Sequence, residues 1–154
     1  MIKPLSLSVV ATLFTALVLT LGGCTPDPVM HTLVTVADAR EHPAEIIDHG
    51  APGDSAGDVL TFDQPLLNQD MQVIGNNSGI CIRTRPGHSF QCQWTLSFDN
   101  GSVQVAGREK DQGTSRIAIV GGTGDYAGIR GEMTSTNNDD GTFTQVLKFR
   151  LDRD

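Results

Sequence analysis

From Ser89 to Phe98 polar and apolar side chains alternate without a break. Phe90, Cys92, Trp94, Leu96 and Phe98 share one parity, and Gln91, Gln93, Thr95 and Ser97 share the other. A period of two belongs to a strand with one dry face and one wet face, and it does not fit a helix. Asn100-Gly101 follows, the preferred pair for a two-residue type I′ hairpin turn. Such a turn sets Phe98 opposite Val103, Leu96 opposite Val105 and Trp94 opposite Gly107, which extends the dry face into the next strand.

The same grammar recurs to the end of the chain. Ile80 to Thr84, Ser102 to Gly107, Ser115 to Val120, Ile129 to Thr136 and Thr142 to Leu151 read as strands, separated by turn residues every eight to twelve positions. In the last of them Phe143, Leu147, Phe149 and Leu151 repeat the apolar parity, with Lys148 and Arg150 turned outward. Earlier, Thr32 to Ala37, Asp58 to Phe62 and Met71 to Ile74 are shorter strand candidates. Residues 38 to 57 read as a long loop with one short strand at Ile46-Ile47. About eight strands without a helix leave an all-β sandwich or a barrel, and only the barrel removes exposed edges.

The run IAIVGGTGDYAGIRGEM, Ile117 to Met133, tests that reading. A strand entering Gly121-Gly122-Thr123-Gly124 would suit a dinucleotide-binding turn only if a helix followed. Residues 129 to 136 have no apolar stripe at helical spacing, and Asn137 to Gly141 ends them as a turn. The run is therefore a strand-to-strand corner.

Residues 1–23 carry targeting information. Lys3 gives a short positive start, Val9 to Leu21 an apolar core about half the length of a membrane span, and Leu21-Gly22-Gly23-Cys24 a closing sequence that resembles a bacterial lipobox. This predicts a cleaved signal peptide, a lipid on Cys24, an extracytoplasmic location with membrane contact through the anchor alone, and a linker over 24–31. An ordinary signal peptide or a short anchor helix is the other reading. Roughly 130 residues follow residues 1–23, enough for one domain with one core, placed over 32–154.

Acidic residues outnumber basic ones, 18 to 11, for a net charge of −7. That balance argues against nucleic acid as a partner, since such affinity rests on Lys and Arg neutralising phosphates. With Cys24 assigned to the anchor, Cys81 and Cys92 remain. Arg85-Pro86-Gly87-His88 is a turn equidistant from both, and pairing about its centre sets Cys81 opposite Cys92. A cross-strand disulfide fits that register. Two reduced interior thiols are the alternative.

Four segments occur in an order similar to that of plant allene oxide cyclases and their bacterial barrel relatives. They are GDVLTF from Gly57, GNNSGICI from Gly75, Asn100 through Gly107, and AIVGGTGDYAGIRG from Ala118. The last also resembles the equivalent stretch of dirigent proteins. The resemblance spans residues 32 to 151 and implies a closed eight-stranded antiparallel barrel with an apolar cavity, assembled as a homodimer or homotrimer. It further implies a small apolar or amphipathic ligand and cofactor-free chemistry of isomerase or cyclase type, in which the cavity folds a reactive substrate and excludes water. A non-catalytic binding or envelope protein on the same barrel is the alternative.

Transfer of site residues is partial. Cys81 lies where the cyclases keep a cavity cysteine, and Pro43 matches a proline after their first strand. Their first-strand carboxylate and asparagine fall near Val34 to Ala37, where this chain has no acid or amide, and their next asparagine falls at or near Gln64. Cys81, Trp94, Leu96, Phe98 and Tyr126 are the candidate cavity lining, with core packing the alternative for the two aromatic singletons Trp94 and Tyr126.

The catalytic candidates are Arg83, Asp125 and Arg130. Arg83 and Arg85 share the parity of Cys81 and Trp94, which sets Arg83 near the cavity wall, where a guanidinium would hold a carboxylate. A bulge that turns both outward, or snorkelling at the rim, is the competing reading. Arg130 matches an arginine that dirigent proteins keep in the pocket, with Asp125 in the same turn, but alternation groups Arg130 with Glu132 and Thr134 on the wet face. His31, His42, His49 and His88 show no paired ligand spacing, so no metal is expected.

Overall fold

The computed structural model describes residues 29–152. The expectations for residues 1–23, Cys24 and most of the linker lie outside that range. Nine strands follow one another: β1 (His31–Asp38), β2 (Glu45–Ile47), β3 (Val59–Leu67), β4 (Val73–Arg85), β5 (Ser89–Phe98), β6 (Gly101–Lys110), β7 (Thr114–Gly124), β8 (Ile129–Asn137) and β9 (Thr142–Leu151). All pairings are antiparallel, in the order β1-β9-β8-β7-β6-β5-β4-β3-β2.

The sheet closes on itself through β1 and β3, where Val36 faces Leu67 and Ala37 faces Leu66. Eight strands therefore form a closed barrel, and β2 is extra. The closing seam is short. β2 takes the part of the β3 edge that β1 leaves free, pairing Ile46 with Leu60 and Ile47 with Val59.

Two sequence expectations are corrected in register. The β5–β6 hairpin turns at Asp99-Asn100, not Asn100-Gly101, so Leu96 faces Val103, Trp94 faces Val105 and Phe98 faces Gly101. Gly101 is needed inside β6 because a Cβ there would meet the Thr123 carbonyl oxygen at 2.2 Å. The slip is two residues, so every side chain keeps its expected face. The second correction concerns β4, which runs unbroken from Val73 through the stretch between the two short strands expected. Its Gly79 lies opposite Trp94, and a Cβ at Gly79 would sit 2.3 Å from that of Trp94, so the glycine makes room for the indole.

Hydrophobic alternation fills one end of the barrel. Leu66, Leu96, Val103, Val105, Ile117, Met133 and Leu147 are fully or almost fully buried there. Beside them Tyr126 packs on Phe98 and Phe149, with ring centroids 5.2 and 6.4 Å away.

Candidate functional site: a half-open apolar cavity

The other end of the barrel is not filled. A cavity of about 400 Å³ opens there, walled by Leu60 and Phe62 of β3, Cys81 and Arg83 of β4, Phe90, Cys92 and Trp94 of β5, and Glu109 of β6. Each takes its inward place from strand parity. Ala44 and Ile46, from the segment that carries β2, close the side of the mouth above the short seam.

A polar row crosses the barrel interior. Thr35 Oγ1 donates to Gln145 Oε1 at 3.1 Å, and Gln145 Nε2 donates to Asn77 Oδ1 at 3.3 Å, joining β1, β9 and β4. Gln64, opposite Asn77 in the β3–β4 ladder, is buried beside it on the cavity wall. Such a row is stable in a core only when its members satisfy one another.

Glu109 is the lining carboxyl that has no basic partner among the described residues. Ser135 Oγ donates to its Oε1 at 2.9 Å, while Oε2 is buried with no hydrogen-bond partner among the described residues. Burial lifts the carboxyl to about 7, against the lowering effect of Ser135 and Ser115. Trp94, only 4% exposed, also has its Nε1 buried without an acceptor among the described residues.

At the mouth, a bulge between Arg83 and Arg85 in the β4–β5 ladder separates the two arginines. Arg85 is exposed, while the Arg83 side chain is 10% exposed. Arg83 NH1 donates to Asp111 Oδ1 at 2.6 Å, and its guanidinium lies 3.6 Å from the centre of the Phe90 ring. Its Nε is 2.6 Å from Asp54 Oδ1, an ion pair without hydrogen-bond alignment. Asp54 is carried in by residues 48–58, a loop organised on buried Asp58, which accepts from the backbone N–H groups of His49 and Ser55. Those bonds, Ser55 foremost, hold the Asp58 carboxyl below the usual range.

The remaining candidates divide between the cavity wall, the packed end and the outer face. Cys81 and Cys92 face each other as the register required and are joined as a disulfide, both on the cavity wall. Leu96, Phe98 and Tyr126 do not line the cavity but belong to the packed end or lie against it, because the inward parity continues past the point where the cavity stops. Burial and the charge of Asp125 raise the Tyr126 phenol. Asp125 is exposed in the β7–β8 turn and accepts from Asn100 Nδ2. Arg130 is on the outer face, 70% exposed, with Nε 2.6 Å from Asp152 Oδ2. Among the described residues, no group of three or more His, Cys, Asp or Glu is arranged to hold a metal ion.

Glu109 and Gln145 escaped the sequence reading. Both carried a signal: Glu109 continues the parity of Val103 and Val105 beyond Gly107, and Gln145 is the polar gap between Phe143 and Leu147.

A closed β-barrel with one solid end and one apolar, half-open end is the architecture of a small-molecule barrel. The family model of the dirigent-like proteins matches residues 27–152, and the chain belongs to that family. No curated protein matches the sequence. Among solved structures, a pyocyanin demethylase is 27% identical with a TM-score of 0.65, covering 79% of this chain and 99% of its own. A pterocarpan synthase dirigent protein is 19% identical with a TM-score of 0.65, covering 81% of this chain and 97% of its own. A Diels–Alderase from Streptomyces koyangensis is 17% identical with a TM-score of 0.66, covering 82% of this chain and 70% of its own. The last two share the fold.

Proposed function

We propose that the chain is a lipid-anchored extracytoplasmic barrel. Its cavity binds a small apolar or amphipathic molecule and transforms it by cofactor-free acid–base chemistry of isomerase or cyclase type. The observation that carries the catalytic part is Glu109. A carboxyl that titrates near 7 on a largely apolar wall, with one oxygen unpaired, has both protonation states available near neutral pH. The cavity holds a flexible substrate in one shape and strips water from it, and Glu109 exchanges the proton that a ring closure or tautomer shift requires. The relatives named for demethylation, pterocarpan synthesis and cycloaddition support small-molecule chemistry in such a barrel.

One observation favours a binding protein without catalysis. The first strand supplies only Thr35 and Ala37 to the interior near the site, and neither ionises. The two readings separate experimentally. The full chain, extracted in detergent, is incubated with cell extract, and co-purifying small molecules are identified by mass spectrometry. The recovered compound is then incubated with wild type and Glu109→Gln. An enzyme converts it and the variant binds it unchanged, whereas recovery with no conversion by either protein leaves a binding protein. Recovery of nothing sinks both. Mass analysis of the N-terminal peptide tests the anchor, and an unmodified Cys24 in membrane-extracted protein removes it.

A further inference from the structure

Arg83 is the one basic side chain on the cavity wall that is largely buried, and it is already occupied. Asp111 and Asp54 each approach it to 2.6 Å, and Phe90 covers a face of its guanidinium at 3.6 Å. Two carboxylates on one guanidinium leave a negative excess, and Glu109 adds to it whenever ionised. Lys110, exposed at the rim, is the remaining cation among the lining residues. An incoming carboxylate must displace one the chain itself supplies, and a tethered group competes at an effective concentration on the order of millimolar. The chain's overall charge of −7 opposes an anion at longer range as well.

The wall around Arg83 is aromatic, with Phe62 on β3 and Phe90 and Trp94 on β5.

We propose that the cavity selects an uncharged or cationic aromatic molecule and rejects carboxylates of the same shape because Asp54 and Asp111 have neutralised Arg83. The proposal rests on this cavity being the ligand site. Three planar probes of equal ring system test it at slightly alkaline pH: acridine, 9-aminoacridine and acridine-9-carboxylate. Binding is read by calorimetry and by quenching of Trp94, the single tryptophan.

The expected result is that acridine and 9-aminoacridine bind at least about tenfold tighter than the carboxylate. Equal binding of all three overturns the charge selection while leaving the cavity as a ligand site. Binding of none removes the ligand site and the selection with it. In the double variant Asp54→Asn/Asp111→Asn the order changes, with acridine-9-carboxylate gaining about tenfold as Arg83 is released. No gain in a variant with unchanged circular dichroism and melting shows that Arg83 is not the determinant. If that variant does not fold, Arg83→Met serves instead: it is expected to weaken the carboxylate little, and loss of carboxylate binding specific to it would mean that the arginine had been an anion anchor.

Discussion

The two ends of this barrel are built from the same strands with opposite contents. At the packed end inward positions hold Leu96, Val103, Met133 and Leu147, all fully buried, and aromatic rings close the bottom. At the open end inward positions hold Arg83, Glu109, Ser135 and Gln145 among aromatic rings, around a cavity of about 400 Å³. Backbone pairing continues through both. The ladders can carry the barrel past the point where side chains stop filling it, so one end supplies stability and the other is left as a cavity.

Equal truncations at the two ends should therefore have unequal costs. Leu96→Ala leaves a void in a close-packed interior and is expected to cost about 3 kcal/mol in denaturant unfolding. Phe62→Ala only enlarges a space already open and loses its edge contact with Trp94, whose centroid is 6.4 Å away, and is expected to cost about 1 kcal/mol. Equal costs would show that the open end is core. Next in size is the disulfide. With a sequence separation of 11, replacing both Cys81 and Cys92 by Ser is expected to lower stability by about 3 kcal/mol or less. Cavity binding of a probe should weaken with it, because both sulfurs line the wall.

The packed end was legible in the sequence and the open end only in part. Alternation through Ser89 to Phe98 assigned every inward side chain of β5 correctly, and the two-residue slip at Asn100-Gly101 did no damage because parity survives an even shift. The same parity points Cys81 inward and offers that place to Arg83 too, against a competing outward reading that the bulge before Arg85 leaves to Arg85 alone. Glu109 escaped it, because the strand was ended at Gly107, a glycine that in fact lies opposite Cys92 within the ladder. The Asn77–Gln145 bridge links residues 68 apart in sequence across the barrel, and no local pattern encodes a contact of that range. Asp54 reaches Arg83 from a loop, where side-chain direction has no period to read.

Glu109 gives a third, smaller contrast, between pH values. Its carboxyl is raised to about 7 in the fold, so the folded chain binds the proton more tightly than the unfolded one. Stability from this group is then complete below the unfolded carboxylate range and is lost as pH rises through about 7. Glu109→Gln removes the ionisation and is expected to stabilise the protein at alkaline pH by about 2 kcal/mol, with little change in acid. Melting curves across pH measure the difference. A variant that is destabilised equally at every pH would mean that Glu109 is held by its hydrogen bonds rather than strained by burial.

Arg130 marks the lower limit of the comparison. It lies outside the barrel, 70% exposed, and shares Asp152 with Arg150, whose Nε is 2.9 Å from the other carboxylate oxygen. Pairs of this kind are screened by solvent and salt and have little hold on the fold. Arg130→Ala is expected to change neither the melting temperature nor the affinity of the cavity for acridine by a measurable amount. A clear loss of acridine binding would mean that the outer face near Ile129 communicates with the interior. The division between a solid end and an open end would then have to include the β8–β9 surface, with Gly131, which has no side chain and lies opposite Phe149, the route to examine first.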